Sequence, residues 1–165
     1  MRLVGRVWKY GSYVDTDVMY PARYLTEFRP EEMARHCMEG LDPTFAREVR
    51  PGDIIVAGRM FGIGSAREHA PVAIKASGVA AVVAPSFARA FHRNAINIGL
   101  PVVECDGIDR EAEKGDELEV DLVEGTVLNR RTGRLLRASR YPEFMLGIIQ
   151  AGGLMNCLRE KLRRN

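Results

Sequence analysis

Between Asp53 and Cys105 the chain passes twice through one unit: a short apolar run, a loop, and a helical stretch closed by glycine. Asp53–Gly58 (DIIVAG) suits a buried strand, Arg67–Ser77 a helix ended by Gly78, and Val79–Ala84 a second buried strand. Phe87, Ala90, Phe91, Ala95 and Ile98 then share one helical face, with Gly99 as the stop before a strand over Leu100–Cys105. Strands alternating with helices in this way imply an α/β sheet containing parallel pairs.

The flanks add to this unit without adding a second core. Residues 3–10 read as a strand and Val14–Arg23 as a loop. Pro30-Glu31-Glu32 opens a helix, with proline in its first turn and acids near its positive end, and Gly40 is placed to stop it. Further on, Leu118, Val120 and Leu122 alternate with Glu117, Glu119 and Asp121, a half-solvated strand pattern. Turn signals at Glu124-Gly125 and Thr132-Gly133 divide that region into antiparallel strands. Helices are expected near 142–150 and 153–163. No linker interrupts the pattern, and 165 residues suit one domain, so 1–165 is read as a single mixed-sheet α/β unit.

Several partner classes are excluded at this level. The 24 Lys and Arg against 22 Asp and Glu give a net charge of +2, with the signs interspersed except at Arg159, Lys161, Arg163 and Arg164. A nucleic-acid binder gathers its cations on one face, whereas cations at a helix C-terminus simply suit its dipole. The longest apolar run, Gly78–Pro85, falls far short of the roughly 20 residues a membrane helix needs. Met1–Trp8 reaches charge before an export signal could form, and the cysteines (Cys37, Cys105, Cys157) are odd in number and widely spaced. Reduced thiols and a cytoplasmic location are therefore expected. With no CxxC pair, and His36, His69 and His92 far apart, this chain shows no spacing for zinc or an iron–sulfur cluster.

The stretch Gly58–Pro71 (GRMFGIGSAREHAP) carries the chemistry. A helix expected to begin near Ser65 would present unpaired N–H groups to an anion. Gly62 and Gly64 would let a ligand approach the main chain. Arg67 offers a planar fork for a carboxylate or phosphate, and Ser65 in the same positive field would favour its deprotonated form. Taken alone, the loop is also read as a plain strand-to-helix turn with Ser65 as N-cap, or as a dinucleotide site lacking its third glycine and its ribose acid. The absent Gly-Lys-Ser/Thr ending excludes a P-loop. A carboxylate site with Ser65 as base and Arg67 as clamp is the remaining reading.

At Met60–Pro71 the chain resembles the swivelling domain of the aconitase superfamily, in the form of the separate small subunits of 3-isopropylmalate dehydratase and homoaconitase, whose hallmark is close to NFGxGSSREHAP. Two more blocks match in order: Asp15-Thr16-Asp17 with Pro21–Leu25, and Ser86–Pro101 (SFARAFHRNAINIGLP). The likeness continues through Pro142-Glu143-Phe144 and Ala151–Leu154. The resemblance implies a three-layer β/β/α swivelling domain with a mixed sheet, and a dehydration and rehydration of a small hydroxy-dicarboxylate. Ser65 falls at the catalytic serine, Arg67 at the carboxylate-binding arginine, and Thr16 and Asp17 on a loop lining the same site, with Asp17 expected to orient groups by hydrogen bonds. Gly64 and Ala66 are expected beside the substrate, and Tyr24, Leu25 and Thr26 in the segment that chooses it. A 4Fe–4S cluster is expected on a large partner subunit, so this chain would be inactive alone and, when isolated, could pair with itself through apolar surface.

The departures bear on substrate. Ala66 replaces a serine, Met60 an asparagine that would leave a less polar wall, and His92 a tyrosine, where aromatic packing is expected. Thr26-Glu27 supplies no arginine for a third carboxylate, and Glu27 is expected to face water. This favours the 3-isopropylmalate enzyme over homoaconitase, with citraconate or dimethylmalate chemistry as a further alternative. A non-catalytic anion-binding or partner-regulating protein is the reading from a different class.

Overall fold

The computed structural model describes residues 1–165. Seven strands form one mixed sheet in the order β4-β3-β2-β1-β5-β6-β7. They are β1 (Arg2–Lys9), β2 (Ile54–Val56), β3 (Ala81–Ala84), β4 (Val102–Glu104), β5 (Glu117–Asp121), β6 (Thr126–Asn129) and β7 (Leu135–Arg137). The helices are α1 (Thr16–Met19), α2 (Pro30–Ala34), α3 (Phe45–Glu48), α4 (His69–Ala76), α5 (Arg89–Asn97), α6 (Ile108–Glu111), α7 (Glu143–Gln150) and α8 (Leu154–Arg164), with a 3₁₀ turn at Ala22–Tyr24. None is long and apolar enough to cross a membrane.

Strand β1 joins two halves. Arg2–Arg6 pairs antiparallel with β5, while Val7–Lys9 pairs parallel with β2. From there β2, β3 and β4 continue in parallel, and β5, β6 and β7 form an antiparallel meander. The sequence explains the division. The parallel strands β2 and β3 are buried at every residue, as strands covered on both faces must be. Strand β5 buries Leu118 and Val120 and leaves Glu117 exposed, which suits a sheet solvated on one side. One continuous core of 36 buried residues draws on both halves. Within it Phe45 is fully buried and meets Trp8 edge-on at 5.1 Å. The Trp8 indole N–H donates to buried Asp53 at 2.8 Å, and the Arg50 N–H donates to the same oxygen, which ties the entrance of β2 to β1.

Local expectations fail in three places. Val14–Arg23 is not all loop, because the Asp15 carboxylate caps the one-turn helix α1 by accepting from Asp17 N–H at 2.7 Å. The helix opened by Pro30 ends at Ala34, and Gly40 is required instead by close packing: a Cβ there would lie 2.7 Å from Val18 Cα. Helix α4 starts at His69 rather than near Ser65, since Gly62 and Gly64 adopt φ of +91° and +103° and hold the preceding segment outside helical geometry.

Candidate active site

The three sequence blocks meet because each follows the C-terminal end of a parallel strand, and those strands are neighbours. The segment after β1 lies along the segment after β2: Tyr13 N–H donates to Arg59 O at 2.7 Å, Gly62 N–H to Val14 O at 2.9 Å, and Thr16 N–H to Ile63 O at 2.8 Å. The segment after β3 joins them through Phe61 N–H to Ser86 O and Ala88 N–H to Phe61 O. Asn94 on α5 completes the frame by donating to Ala66 O at 3.0 Å. Open α/β sheets bind ligands outside the carboxyl ends of their strands, where the connections diverge. Here β1 is that point, flanked by parallel β2 and antiparallel β5.

Two glycines make the frame sterically workable. A Cβ on Gly62 would fall 2.3 Å from Phe91 Cγ, and one on Gly64 would fall 2.6 Å from Asp15 Oδ1. Both clashes add to the cost of a side chain at positive φ. The Phe61, Phe87 and Phe91 rings pack beneath the loop, with Phe61 edge-on to Phe91 at 5.2 Å. Phe87 thus serves the core from just before α5 instead of from within it.

Thr16, Asp17, Tyr20, Leu25, Ser65, Arg67, His69 and Ala70 line one cleft. Five sequence-predicted residues therefore converge: Ser65, Arg67, Thr16, Asp17 and Leu25. Ser65 is half-buried and Arg67 exposed. The Thr16 hydroxyl donates to Ser65 O at 3.2 Å and lies 3.5 Å from Ser65 Oγ. Asp15, not Asp17, is the aspartate that folds back on the local backbone, and the Asp17 carboxylate makes no hydrogen bond within the chain. The expected helix-terminal field at Ser65 is absent, because Glu68 and not Ser65 precedes the first turn of α4. Its nearest polar partner is the Thr16 hydroxyl.

The other predicted residues stand outside the lining. Gly64 shapes the loop, and Ala66 offers its carbonyl to Asn94. The Tyr24 ring stacks on His36 at 3.7 Å and its hydroxyl donates to Glu39 at 2.9 Å. Thr26 is exposed. Glu27 does not simply face water: it accepts from Arg29 Nε and Nη2 and from the N–H groups of Phe28 and Arg29. The Arg29 guanidinium holds the Glu27 carboxyl down at about 2. Sequence reading missed Tyr20, His69 and Ala70. His69 and Ala70 stand inside the block already singled out, but only the fold turns their side chains toward Ser65.

The departures take on new meanings. Met60 does not line the cleft; it occupies the left-handed region at φ +55°, its N–H donating to Ser86 Oγ at 2.9 Å. Asparagine tolerates that conformation better than methionine. Met60→Asn should therefore raise stability by about 0.5–1 kcal/mol and shift Tm upward by about 1–4 °C, as read by thermal melting. His92 packs edge-on to Phe87 at 6.1 Å, and burial pushes its imidazole below the usual range, toward a neutral ring.

The cleft is small, holding about 10 Å³, whereas a surface cavity of about 570 Å³ lies nearby along Lys9–Asp15 and contains neither Ser65 nor Arg67. A small-molecule site normally encloses about 300–1,000 Å³. The grouping of side chains, not volume, singles out the Ser65–Arg67 cleft. Nor does the chain offer cluster ligands. Its His, Cys, Asp and Glu residues form no metal-holding group. Burial pushes the Cys37 and Cys105 thiols up to about 12 and about 11, the reverse of what a thiolate ligand needs.

A mixed sheet with a serine–arginine cleft at the ends of its parallel strands defines an aconitase-type swivelling domain, and residues 32–106 match the family model for the aconitase C-terminal domain. The isopropylmalate/citramalate isomerase small subunit of Methanocaldococcus jannaschii is 54% identical over 96% of this chain and 94% of its own length. The 3-isopropylmalate dehydratase small subunit of Aquifex aeolicus is 56% identical, covering 98% of this chain and 97% of its own. A crystal structure of 3-isopropylmalate dehydratase from M. jannaschii superposes with a TM-score of 0.92 at 42% identity, covering 98% of this chain and 95% of that one. The chain belongs to the family of 3-isopropylmalate dehydratase small subunits.

Proposed function

We propose that this chain is the small subunit of a 3-isopropylmalate dehydratase, a hydro-lyase that interconverts 2- and 3-isopropylmalate through 2-isopropylmaleate in leucine biosynthesis. The convergence of Ser65, Arg67, Thr16 and Asp17 on one cleft carries this reading. Ser65 Oγ, as the alkoxide, is the base that takes the carbon-bound proton and so becomes a hydroxyl; Thr16 Oγ1, 3.5 Å away, stabilises the alkoxide beforehand by turning its one hydrogen from Ser65 O to Ser65 Oγ. Arg67, exposed at the cleft, grips a substrate carboxylate through two parallel hydrogen bonds. Asp17, with no partner in the chain, is free to orient a substrate hydroxyl. Leu25 and Ala70 give the cleft an apolar wall suited to an isopropyl group.

Hydroxide leaves only with help from an electrophile. An aconitase-type large subunit supplies it as a 4Fe–4S cluster, and the small volume of the cleft supports a second chain closing over the substrate. Exposed apolar side chains at Phe144, Met155, Leu158 and Leu162, on α7 and the otherwise unburied α8, support association of the kind a subunit needs. The reduced, largely buried thiols suit the cytoplasm. A third substrate carboxylate is disfavoured, because the arginines flanking the selecting segment, Arg23 and Arg29, are already paired with Glu39 and Glu27.

The test is an anaerobic assay of the chain reconstituted with its large subunit on isopropylmalate, citramalate and homoaconitate, with isopropylmalate expected to be preferred. Preference for homoaconitate would overturn the assignment. In the same assay Arg67→Lys should raise KM by about 10–100-fold and lower kcat far less, because a point charge cannot reproduce the bidentate fork. An unchanged KM would remove Arg67 from the clamp role.

A further inference from the structure

Two side chains that sequence reading left unassigned grip consecutive carbonyls on the far side of the cleft. Tyr20, only 2% exposed at the end of α1, donates its hydroxyl to Tyr24 O at 2.8 Å. His69, the first residue of α4, places Nε2 3.1 Å from Leu25 O. A carbonyl can only accept, so Nε2 carries the hydrogen. The two rings stack at 5.7 Å with 20° between their planes, and Phe28 lies against the imidazole at 5.6 Å. Each ring thus limits the rotation of the other.

We infer that His69 and Tyr20 are positioning residues that hold Leu25, the apolar wall of the cleft, at a fixed distance from Ser65 and Arg67, and so set how the enzyme discriminates between substrates differing in their alkyl group. This inference rests on the reading of the Ser65–Arg67 cleft proposed above. The chain connectivity explains how the grip works. Tyr20 leads directly from the helix that presents Thr16 and Asp17, and His69 from the loop that presents Ser65 and Arg67, so both halves of the site hold the segment bearing Leu25. Packing alone does not explain the imidazole. Its Nδ1 is buried without a partner, a desolvation cost that phenylalanine would avoid while stacking equally well. The Nε2 bond to Leu25 is the compensating use of the ring. Losing it leaves the reacting groups in place and lets the wall drift, which affects alkyl recognition before it affects proton transfer.

The experiment uses the complex reconstituted with the large subunit, with 3-isopropylmalate and citramalate as paired substrates. His69→Phe keeps the stack and removes the hydrogen bond, and Tyr20→Phe removes only the hydroxyl, so each tests the grip with little threat to folding. In both, the ratio of kcat/KM for isopropylmalate over citramalate should change by at least about fivefold, through KM, with kcat within about twofold. His69→Gln, whose amide can donate to the same carbonyl, should recover at least half of the lost discrimination. A ratio unchanged in both phenylalanine variants, or a collapse of kcat with KM unaltered, overturns the inference. Ser65→Ala measured alongside separates the two levels. A fully active Ser65→Ala enzyme sinks the reading of the cleft itself, whereas a dead Ser65→Ala beside normally discriminating His69→Phe and Tyr20→Phe sinks the grip alone.

Discussion

Ser65→Ala in the assembled enzyme should lower kcat by about two to four orders of magnitude, the usual contribution of a positioned acid–base group, while the subunits still associate. The structure supports a loss confined to chemistry. The loop bearing Ser65 is held by its backbone: Thr16 Oγ1 donates to Ser65 O, Asn94 Nδ2 to Ala66 O, and Gly64 keeps its φ of +103° whatever side chain follows it. Removing the Ser65 hydroxyl therefore deletes the proposed base without releasing the loop. Steady-state rates on isopropylmalate, with gel filtration of the complex, provide the check. An undiminished kcat would leave a protein that binds anions or regulates its partner without taking part in the reaction.

The purified chain by itself should show no turnover of isopropylmalate, even with iron and sulfide supplied, and activity should appear on addition of the large subunit. Three observations lead there. The cleft holds about 10 Å³ and cannot enclose a dicarboxylate. Cys37 and Cys105 are buried with thiols pushed up to about 12 and about 11, so they stay protonated at neutral pH. No group of His, Cys, Asp and Glu residues converges to hold a metal in their place. On the proposed reading the chain brings a base and a carboxylate clamp, and the electrophile that lets hydroxide depart comes from the partner. Titration of a fixed amount of this chain with the partner should give activity that saturates at a defined stoichiometry. Robust turnover by the lone chain would overturn the two-subunit reading.

The parallel half of the fold was legible because burial on both faces leaves a one-dimensional trace: runs such as Ile54–Val56 and Ala81–Ala84, each followed by a helix and a glycine stop. The meander over Glu117–Arg137 was legible by alternation and turn glycines. Helix starts were read less well. Ser65 looked like a helix N-terminus because a serine follows two glycines, yet positive φ at those glycines delays the helix to His69. Met60 likewise looked like a change in cleft polarity and is instead a change in backbone strain at φ +55°.

The sequence by itself determined the alternation of strands and helices, the serine and arginine on a glycine-bearing loop, and the absence of any cluster-binding pattern, because each is written in neighbouring residues. Only the tertiary structure decided that Thr16, Leu25 and Ser65 share one cleft, that Asp15 and not Asp17 caps the local helix, and that Tyr20 and His69 bond the carbonyls of Tyr24 and Leu25. Those relations depend on the order of strands in the sheet. Placing β1, β2 and β3 side by side and parallel brings together three loops far apart in the chain, and no local pattern encodes that adjacency.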